Sequence, residues 1–344
     1  MQHILARIVE EKVRIKQLDD LLTRLYEPII WRSLKVANPR VRCNATIQLG
    51  YVFPLLPANL PPRLMQEQLE EQLEHLKQLQ NDPVPLVRVK GVLATGRILS
   101  LYWELVPTVY QSSLLLQLID ELAFDTSDYR VREAVFQALR LVLDNHLSHG
   151  FLKAHLPRLA VSMHDSSEKV RLAFVLLLNE IKRIKAIKFW DIVPIDHLLA
   201  RLREESLHSL QDGAALTTPE SSKVVEGLVA LLADTYFPVK KPASQWVIRC
   251  IALVEADPMA ALEFYRALAP QLVPSIAVKF VGKLFKKILV PWYKLKVTGI
   301  ASKLSNDDYS SEVGDKDDEQ EPNAKRAKTG ECTAVIQLTD RVRY

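Results

Sequence analysis

One short pattern recurs along the chain at nearly even intervals, and it constrains the fold more than any other feature. It is a Val-Arg pair that follows an Asp or Asn, and its arginines are Arg42, Arg88, Arg132 and Arg171. The gaps of 46, 44 and 39 residues between these arginines lie near the period of HEAT and armadillo repeats. Such repeats are helix pairs that bury one another in sequence order. The pattern therefore predicts an all-α, HEAT/armadillo-like solenoid of stacked antiparallel helix pairs.

The residues around each Val-Arg pair predict a helix, a turn and a second helix. Leu69, Leu73, Leu76 and Leu79 follow the spacing of one helical face. In the turn, the Asp or Asn can cap the second helix, because its short side chain accepts orphan backbone N–H groups. We expect the arginine to lie along the turn and to pair with a neighbouring carboxylate. A small residue follows each arginine and would let helices approach closely: Ala45, Gly91, Ala134 and Ala173.

A second, independent signature recurs in the same register. Tyr102-Trp103-Glu104-Leu105-Val106-Pro107 returns as Phe189-Trp190-Asp191-Ile192-Val193-Pro194, and the offset is 189 − 102 = 87 residues, or two repeats. In both copies the aromatic pair is predicted to end a second helix, and the proline to open the next first helix.

Shifts in composition divide the chain into four predicted segments. Residues 1–205 form the repeat solenoid, and residues 206–222, which hold several Ser and Thr with one Gly and one Pro, form a loop. Residues 223–301 form further, degenerate helical repeats, with helices predicted at 223–236, 243–255, 258–267 and 275–289. Residues 302–344 form an acidic and basic tail that has little to bury and is predicted to be disordered.

Bulk composition excludes several classes of protein. The chain has 45 Lys+Arg against 41 Asp+Glu, and a net charge of +4 is too small to indicate a nucleic-acid binder by itself. Its 3 cysteines are far apart, so no disulfide framework is predicted and a reducing compartment is favoured. The apolar runs are too short for a membrane span. We expect a soluble intracellular protein.

No arrangement of residues predicts catalysis, a metal site or a cofactor. Gly91 and Gly96 have the spacing of a phosphate-binding loop, but Arg97-Ile98 stands where that loop needs Lys-Ser/Thr. Glycines that permit close helix packing are the favoured interpretation. Asp144, His146 and His149 could be imagined as metal ligands, yet three ligands at one helix end without distant partners make a poor zinc site. We expect no enzyme, no cofactor and no small-molecule substrate.

Two groups of basic residues are candidates for DNA contact. The first, here called the basic cluster, surrounds an apolar seam; the second, the lysine stripe, lies on one side of a predicted helix. Lysines along a groove can neutralise phosphates without reading bases, although a solvated helix face explains the same pattern. The candidates are Lys182, Arg183, Lys185 and Lys188 in the basic cluster, and Lys279, Lys283, Lys286 and Lys287 in the lysine stripe.

Several stretches resemble one family of HEAT proteins more closely than a repeat consensus requires. The resemblance includes exposed and turn positions and covers roughly residues 20 to 265. The chain resembles the G-type HEAT subunits of condensin II, although those proteins are considerably longer. The stretches that carry the resemblance are Tyr26 to Lys35, Ala37 to Ala45, Glu121 to Ser127, Leu143 to His149 and His164 to Trp190.

The resemblance implies a function that the repeats alone do not. It implies a non-enzymatic nuclear subunit that binds the kleisin subunit of condensin II and, through it, the SMC subunits. It also implies sequence-independent contact with double-stranded DNA or chromatin during mitotic chromosome condensation, and no contact with membranes. The alternative is a HEAT adaptor of another class, such as a nuclear transport or phosphatase scaffold, which would share the fold and bind other peptides.

Overall fold

The computed structural model describes residues 17–57, 60–211 and 219–307. These residues form fourteen α-helices, and no strand occurs among them. The helices are α1 Gln17–Leu34, α2 Pro39–Val52, α3 Pro62–Gln80, α4 Pro85–Leu101, α5 Thr108–Leu116, α6 Tyr129–Leu143, α7 His149–His155, α8 Glu168–Arg183, α9 Phe189–Ile192, α10 Ile195–Gln211, α11 Pro219–Tyr236, α12 Ala243–Ala256, α13 Pro258–Leu268 and α14 Pro274–Asp307.

In several repeats, the first helix of the pair is interrupted or continued by a 3-10 or π-helical segment. A π-helix at Gln117–Glu121 and a 3-10 turn at Leu122–Phe124 continue α5. A 3-10 segment at Leu156–His164 continues α7, and shorter 3-10 turns lie at His146–Ser148 and Ala269–Gln271. These first helices are therefore less regular than the second helices that carry the Val-Arg pairs.

The second helices stack directly on one another in chain order. Helix α2 packs on α4, α4 on α6, and α6 on α8, while α1 and α3 each pack on the second helix that follows them. Helix α11 continues the stack, because the Asn179 side-chain amide donates to the Gly227 carbonyl at 3.0 Å. The predicted all-α solenoid of stacked helix pairs is confirmed.

The structure confirms the burial and the helix capping that the sequence patterns predicted. Leu69, Leu73, Leu76 and Leu79 are all buried on α3, as their spacing indicated. The Asn38 carboxamide accepts from the Arg40 N–H at 2.9 Å and caps α2. The Asp128 carboxylate does the same for α6 at Arg130. Each cap satisfies one of the backbone donors that a helix N-terminus leaves unpaired.

Glycines set the separation of the second helices. A Cβ built on Gly50 would lie 3.0 Å from the Ala94 Cβ, and one on Gly96 would lie 2.7 Å from Ala138. Gly91 faces the backbone of Leu79 within its own helix pair, also at 3.0 Å. The interpretation of Gly91 and Gly96 as packing residues is confirmed.

The described helices differ from the predicted segments at three places. Helix α10 continues to Gln211 and α11 begins at Pro219, so both ends of the predicted loop 206–222 are helical. Helix α14 continues to Asp307, past the predicted start of the tail at 302. The predicted boundaries follow shifts in composition, and these helices continue past such shifts. The rest of the predicted tail, 308–344, lies outside the described residues.

The aromatic signature is only partly reproduced by the helices. Tyr102 caps the C-terminus of α4 and Pro107 precedes α5, as predicted. In the second copy, α8 ends at Arg183 and Phe189–Ile192 forms a separate single turn. The second aromatic pair therefore begins its own short helix instead of ending α8.

The chain divides into two compact units, residues 1–231 and 232–344. The described part of the second unit centres on aromatic side chains. The Phe237 ring lies 5.1 Å from both the Trp246 and Phe280 rings, and the Tyr265 ring stacks on Phe280 at 5.4 Å. The helices predicted at 243–255 and 258–267 match α12 and α13 to within one residue.

Candidate nucleic-acid interface and arginine ladder

Four ion pairs connect consecutive repeats of the first unit, and we call them the arginine ladder. Each arginine is the fourth residue of its second helix, and its carboxylate partner belongs to the next repeat. The rungs are Arg42–Asp82, Arg88–Asp125, Arg132–Asp165 and Arg171–Glu205. The pairing of these arginines with neighbouring carboxylates agrees with the expectation from the repeat.

In two of the rungs the guanidinium group donates to both oxygens of its carboxylate partner. The Arg132 Nε and Nη2 donate to the two carboxylate oxygens of Asp165 at 2.7 and 2.9 Å. Its Nη1 donates to the Asp125 carbonyl at 2.7 Å. Arg42 repeats this geometry with Asp82 at 2.8 and 2.9 Å and with the Val36 carbonyl. A planar five-donor group can make these contacts together, whereas a lysine ammonium cannot.

The carboxylates of the first three rungs also accept hydrogen bonds from backbone N–H groups of the turns in which they lie. The Asp82 side chain accepts from the Val84 N–H, and the Asp165 side chain accepts from the Ser167 N–H. Burial would raise the pKa of the Asp125 carboxyl. The hydrogen bonds from Ser127 and Asp128 and the Arg88 charge outweigh burial and lower that pKa. The ionised carboxylate is therefore the form that fits this site.

The fourth rung departs from the other three. Its carboxylate, Glu205, lies on helix α10 instead of a turn, and its side chain is 1% exposed. The Glu205 carboxylate also pairs with Arg201 at 3.0 Å, and Arg201 reaches Glu204 at 2.9 Å. Burial lowers the pKa of Arg201, against the attraction of these two carboxylates. This rung is thus a buried network instead of a single pair.

The structure separates the four residues of the basic cluster into two types. The Lys182 ammonium donates to the Ala230 carbonyl of α11 at 2.7 Å, and Arg183 pairs with Glu180 at 3.0 Å. Lys185 and Lys188 are exposed in the segment after α8. The Lys188 ammonium lies 5.8 Å from the centre of the Trp190 ring. Lys185 and Lys188 are therefore the members best placed to meet a ligand.

The lysine stripe lies on α14 in the second unit. All four of its lysines are exposed, while Phe280 on the same helix is buried. Val278, Val281 and Phe285 are also exposed, by 72%, 60% and 55%. At about 100° per residue they form an apolar strip beside the lysines. The stripe is thus less purely polar than its lysine spacing indicated.

The structure holds no metal-site geometry within the residues that it describes. No group of three or more His, Cys, Asp or Glu side chains there could hold an ion. The His149 ring contacts the Leu143 carbonyl at 3.0 Å, which is a helix-end contact. Among the same residues, no helix combines the length and apolar character that crossing a bilayer requires.

Sequence reasoning missed two features of these surfaces. The contact from Lys182 to Ala230 joins residues 48 positions apart, and no local pattern signals it. A shallow groove between the loops after α4 and α6 is lined by Ser100 to Leu105 and Asp144 to Leu147. Tyr102 to Leu105, from the first copy of the aromatic signature, line this groove, and the repeat of that signature was the available signal.

Comparison with known proteins identifies the source of the resemblance. The family of condensin II non-SMC subunits matches residues 1–56. Condensin-2 complex subunit G2 from Homo sapiens is 41% identical over 257 residues, which is 75% of this chain. The chain is a relative of the condensin-2 G2 subunits. The G2 subunit from Danio rerio is 38% identical over 279 residues, or 81% of this chain. The chain spans only 21% and 23% of the length of these two G2 subunits.

Proposed function

We propose that this chain is a non-enzymatic scaffold that joins a condensin II assembly in the nucleus and acts in mitotic chromosome condensation. In this role it binds the kleisin subunit, and through it the SMC subunits, and contacts double-stranded DNA without sequence specificity. The observation that carries the proposal is the identity of about two fifths with the G2 subunits over three quarters of the chain. A stacked helical array supports it, because such arrays offer long surfaces for extended partners.

Exposed lysines beside an aromatic ring support the DNA contact. Lys185 and Lys188 follow α8, and Trp190 is 49% exposed beside Lys188. Such side chains can meet phosphates without reading base edges, so the affinity would depend on salt rather than on sequence. The lysine stripe on α14 is the second candidate, and its apolar neighbours make it the weaker one.

A salt titration of duplex binding tests the DNA contact. We expect K185E/K188E to weaken binding and to reduce the slope of log affinity against log salt by about two, one for each lost phosphate contact. The control K35E/K153E changes the same charge at two exposed lysines elsewhere in the first unit. Equal losses in the two variants, or wild-type binding that ignores salt, would refute the DNA contact.

Recovery of the complex tests the kleisin partner. We expect the purified chain to retain the condensin II kleisin in a pull-down, and R132M to reduce recovery because it removes a rung between repeats. The matched variant R130M, on the same helix, should bind as wild type. If the folded wild-type chain fails to retain the kleisin, membership of this assembly is wrong for this stretch.

A further inference from the structure

Two loops of the first unit enclose a groove that the proposed function does not use. We call it the acidic groove. It lies between residues 100–105, after α4, and residues 144–147, after α6, and has a volume of about 550 Å³. The Asn145 side-chain amide donates to the Ser100 carbonyl at 3.2 Å, and its oxygen accepts from the Leu147 N–H at 3.0 Å. The first contact joins the two segments, and the second holds residues 145–147 in place, so the groove is part of the repeat packing.

Three leucines with partly exposed side chains stand among the polar residues that line the groove. Leu101 is 55% exposed, Leu105 38% and Leu147 42%. Single exposed leucines are ordinary on a protein surface, but three around one depression form a patch that can accept an apolar side chain. Trp103, 9% exposed, lines the same depression. The groove can therefore take one or two apolar side chains of a partner.

Apart from the His146 imidazole, the ionisable side chains around these leucines are the carboxylates of Glu104 and Asp144 and the phenol of Tyr102. Glu104 and Asp144 are exposed, and none of the described residues that line the groove is a lysine or an arginine. Helices α4 and α6 both end here, at Leu101 and Leu143, and the C-terminal end of a helix carries partial negative charge. Two carboxylates and two helix ends thus favour a cation in the same place.

From this geometry we infer that the acidic groove binds a linear peptide whose leucine-like side chains are flanked by lysine or arginine. The apolar side chain fills the space between Leu101, Leu105 and Leu147. The flanking cations lie against Glu104 and Asp144. Duplex DNA is excluded as the ligand of this groove, because its phosphates would face these two carboxylates. The inference does not depend on membership of a condensin assembly.

Fluorescence anisotropy with defined peptides tests the groove. The probe is a labelled twelve-residue peptide with two leucines between lysines, compared with one whose lysines are glutamates and one whose leucines are serines. We expect the full chain to bind only the first. E104K/D144K should weaken its binding about tenfold or more, since two attractive contacts become repulsive. L147S should weaken it without changing net charge.

The control variant separates a site from bulk electrostatics. E67K/E71K makes the same change of net charge at two exposed glutamates of α3, with side chains 55% and 73% exposed. It should bind the peptide as wild type does, and circular dichroism should find all variants helical. Equal loss in E67K/E71K, unchanged binding in E104K/D144K, or no wild-type binding to the first peptide would each overturn the inference. None of these results would bear on the kleisin or DNA tests.

Discussion

The arginine ladder depends on individual charged side chains that are mostly buried and therefore have little contact with water. In rung three the Arg132 and Asp165 side chains are 14% and 10% exposed. Removing one member of such a pair leaves the other charge desolvated, and that costs more than the pair contributes when intact. The ladder is thus sensitive to loss of one partner, while its net contribution to the free energy of folding stays modest.

Loss of one ladder arginine should be far more damaging than loss of its neighbour. We expect R132M to lower the free energy of unfolding by about 3 kcal/mol, because Asp165 is left buried without its partner. The control is R130M, since Arg130 pairs with Asp128 but is 55% exposed, and water screens such a pair so that it contributes little to stability. Urea denaturation of both variants measures the difference, and equal losses would contradict the role given to burial.

The lowered pKa of Asp125 predicts how stability depends on acid. A carboxyl whose pKa is lower in the folded state stabilises the protein above its unfolded value of 3.8. That stabilisation is lost as pH falls through the folded value. We expect D125N to be less stable than wild type at neutral pH, and the gap to narrow as pH falls below 3.8. Denaturation across this range would measure the gap, and a constant gap would contradict the expectation.

At the scale of helices, the arginine ladder and the glycines both act on the packing between consecutive second helices. They do so at different positions along those helices. Each arginine is at the start of its second helix, whereas Gly50 and Gly96 lie two turns further along. The arginine fixes the register between repeats, and the glycine lets the two helix backbones come together. Both are needed because a helix pair in a solenoid has only its neighbours to pack against.

Alanine at Gly96 should destabilise the chain despite its better helix propensity. Alanine gains about 1 kcal/mol over glycine in a helix, but the new Cβ would lie 2.7 Å from Ala138. Overpacking typically costs about 1–3 kcal/mol, so we expect a net loss in G96A. In the control G282A nothing lies within 4 Å of the new atom, and stability should rise. Thermal unfolding distinguishes the two signs, and a stabilised G96A would contradict the packing role.

Helix positions were largely predictable from the sequence, while surfaces were not. The Val-Arg spacing located α2, α4, α6 and α8, because capping and burial act within a few residues. The partner of Arg171 could not be predicted, since Glu205 belongs to a helix face and not to a turn. Likewise, Lys182 resembles its exposed neighbours in sequence, and only the approach of α11 places its ammonium against a carbonyl.

At the scale of the whole molecule, the first unit is a chain of nearest-neighbour interfaces. In such an array each repeat is stabilised by the repeats on either side, so damage spreads from one interface to the next. The second unit forms its own compact cluster of helices. Loss of one ladder arginine should therefore destabilise the neighbouring repeats and leave distant helices unchanged.

Hydrogen exchange of the backbone amides measures how far along the chain this destabilisation extends. In R132M we expect faster amide exchange in α6 and in α4 and α8, which pack on it, because local opening follows the weakened interfaces. Amides of α12 and α13, in the second unit, serve as the internal reference and should exchange as in wild type. Uniform acceleration along the whole chain would indicate a single cooperative unit instead of a repeat array.

The fourth carboxylate lies on a helix, whereas the first three lie in turns. This difference affects where residues can be inserted or deleted without breaking the ion pair. In the first three rungs the connecting turn supplies the acid, so insertion of residues would displace the charge and break the pair. The fourth rung needs no acid from a turn, because Glu205 on α10 already pairs with Arg171. Insertions and deletions in homologous sequences should therefore be rarer in the three turns that supply Asp82, Asp125 and Asp165 than between α10 and α11.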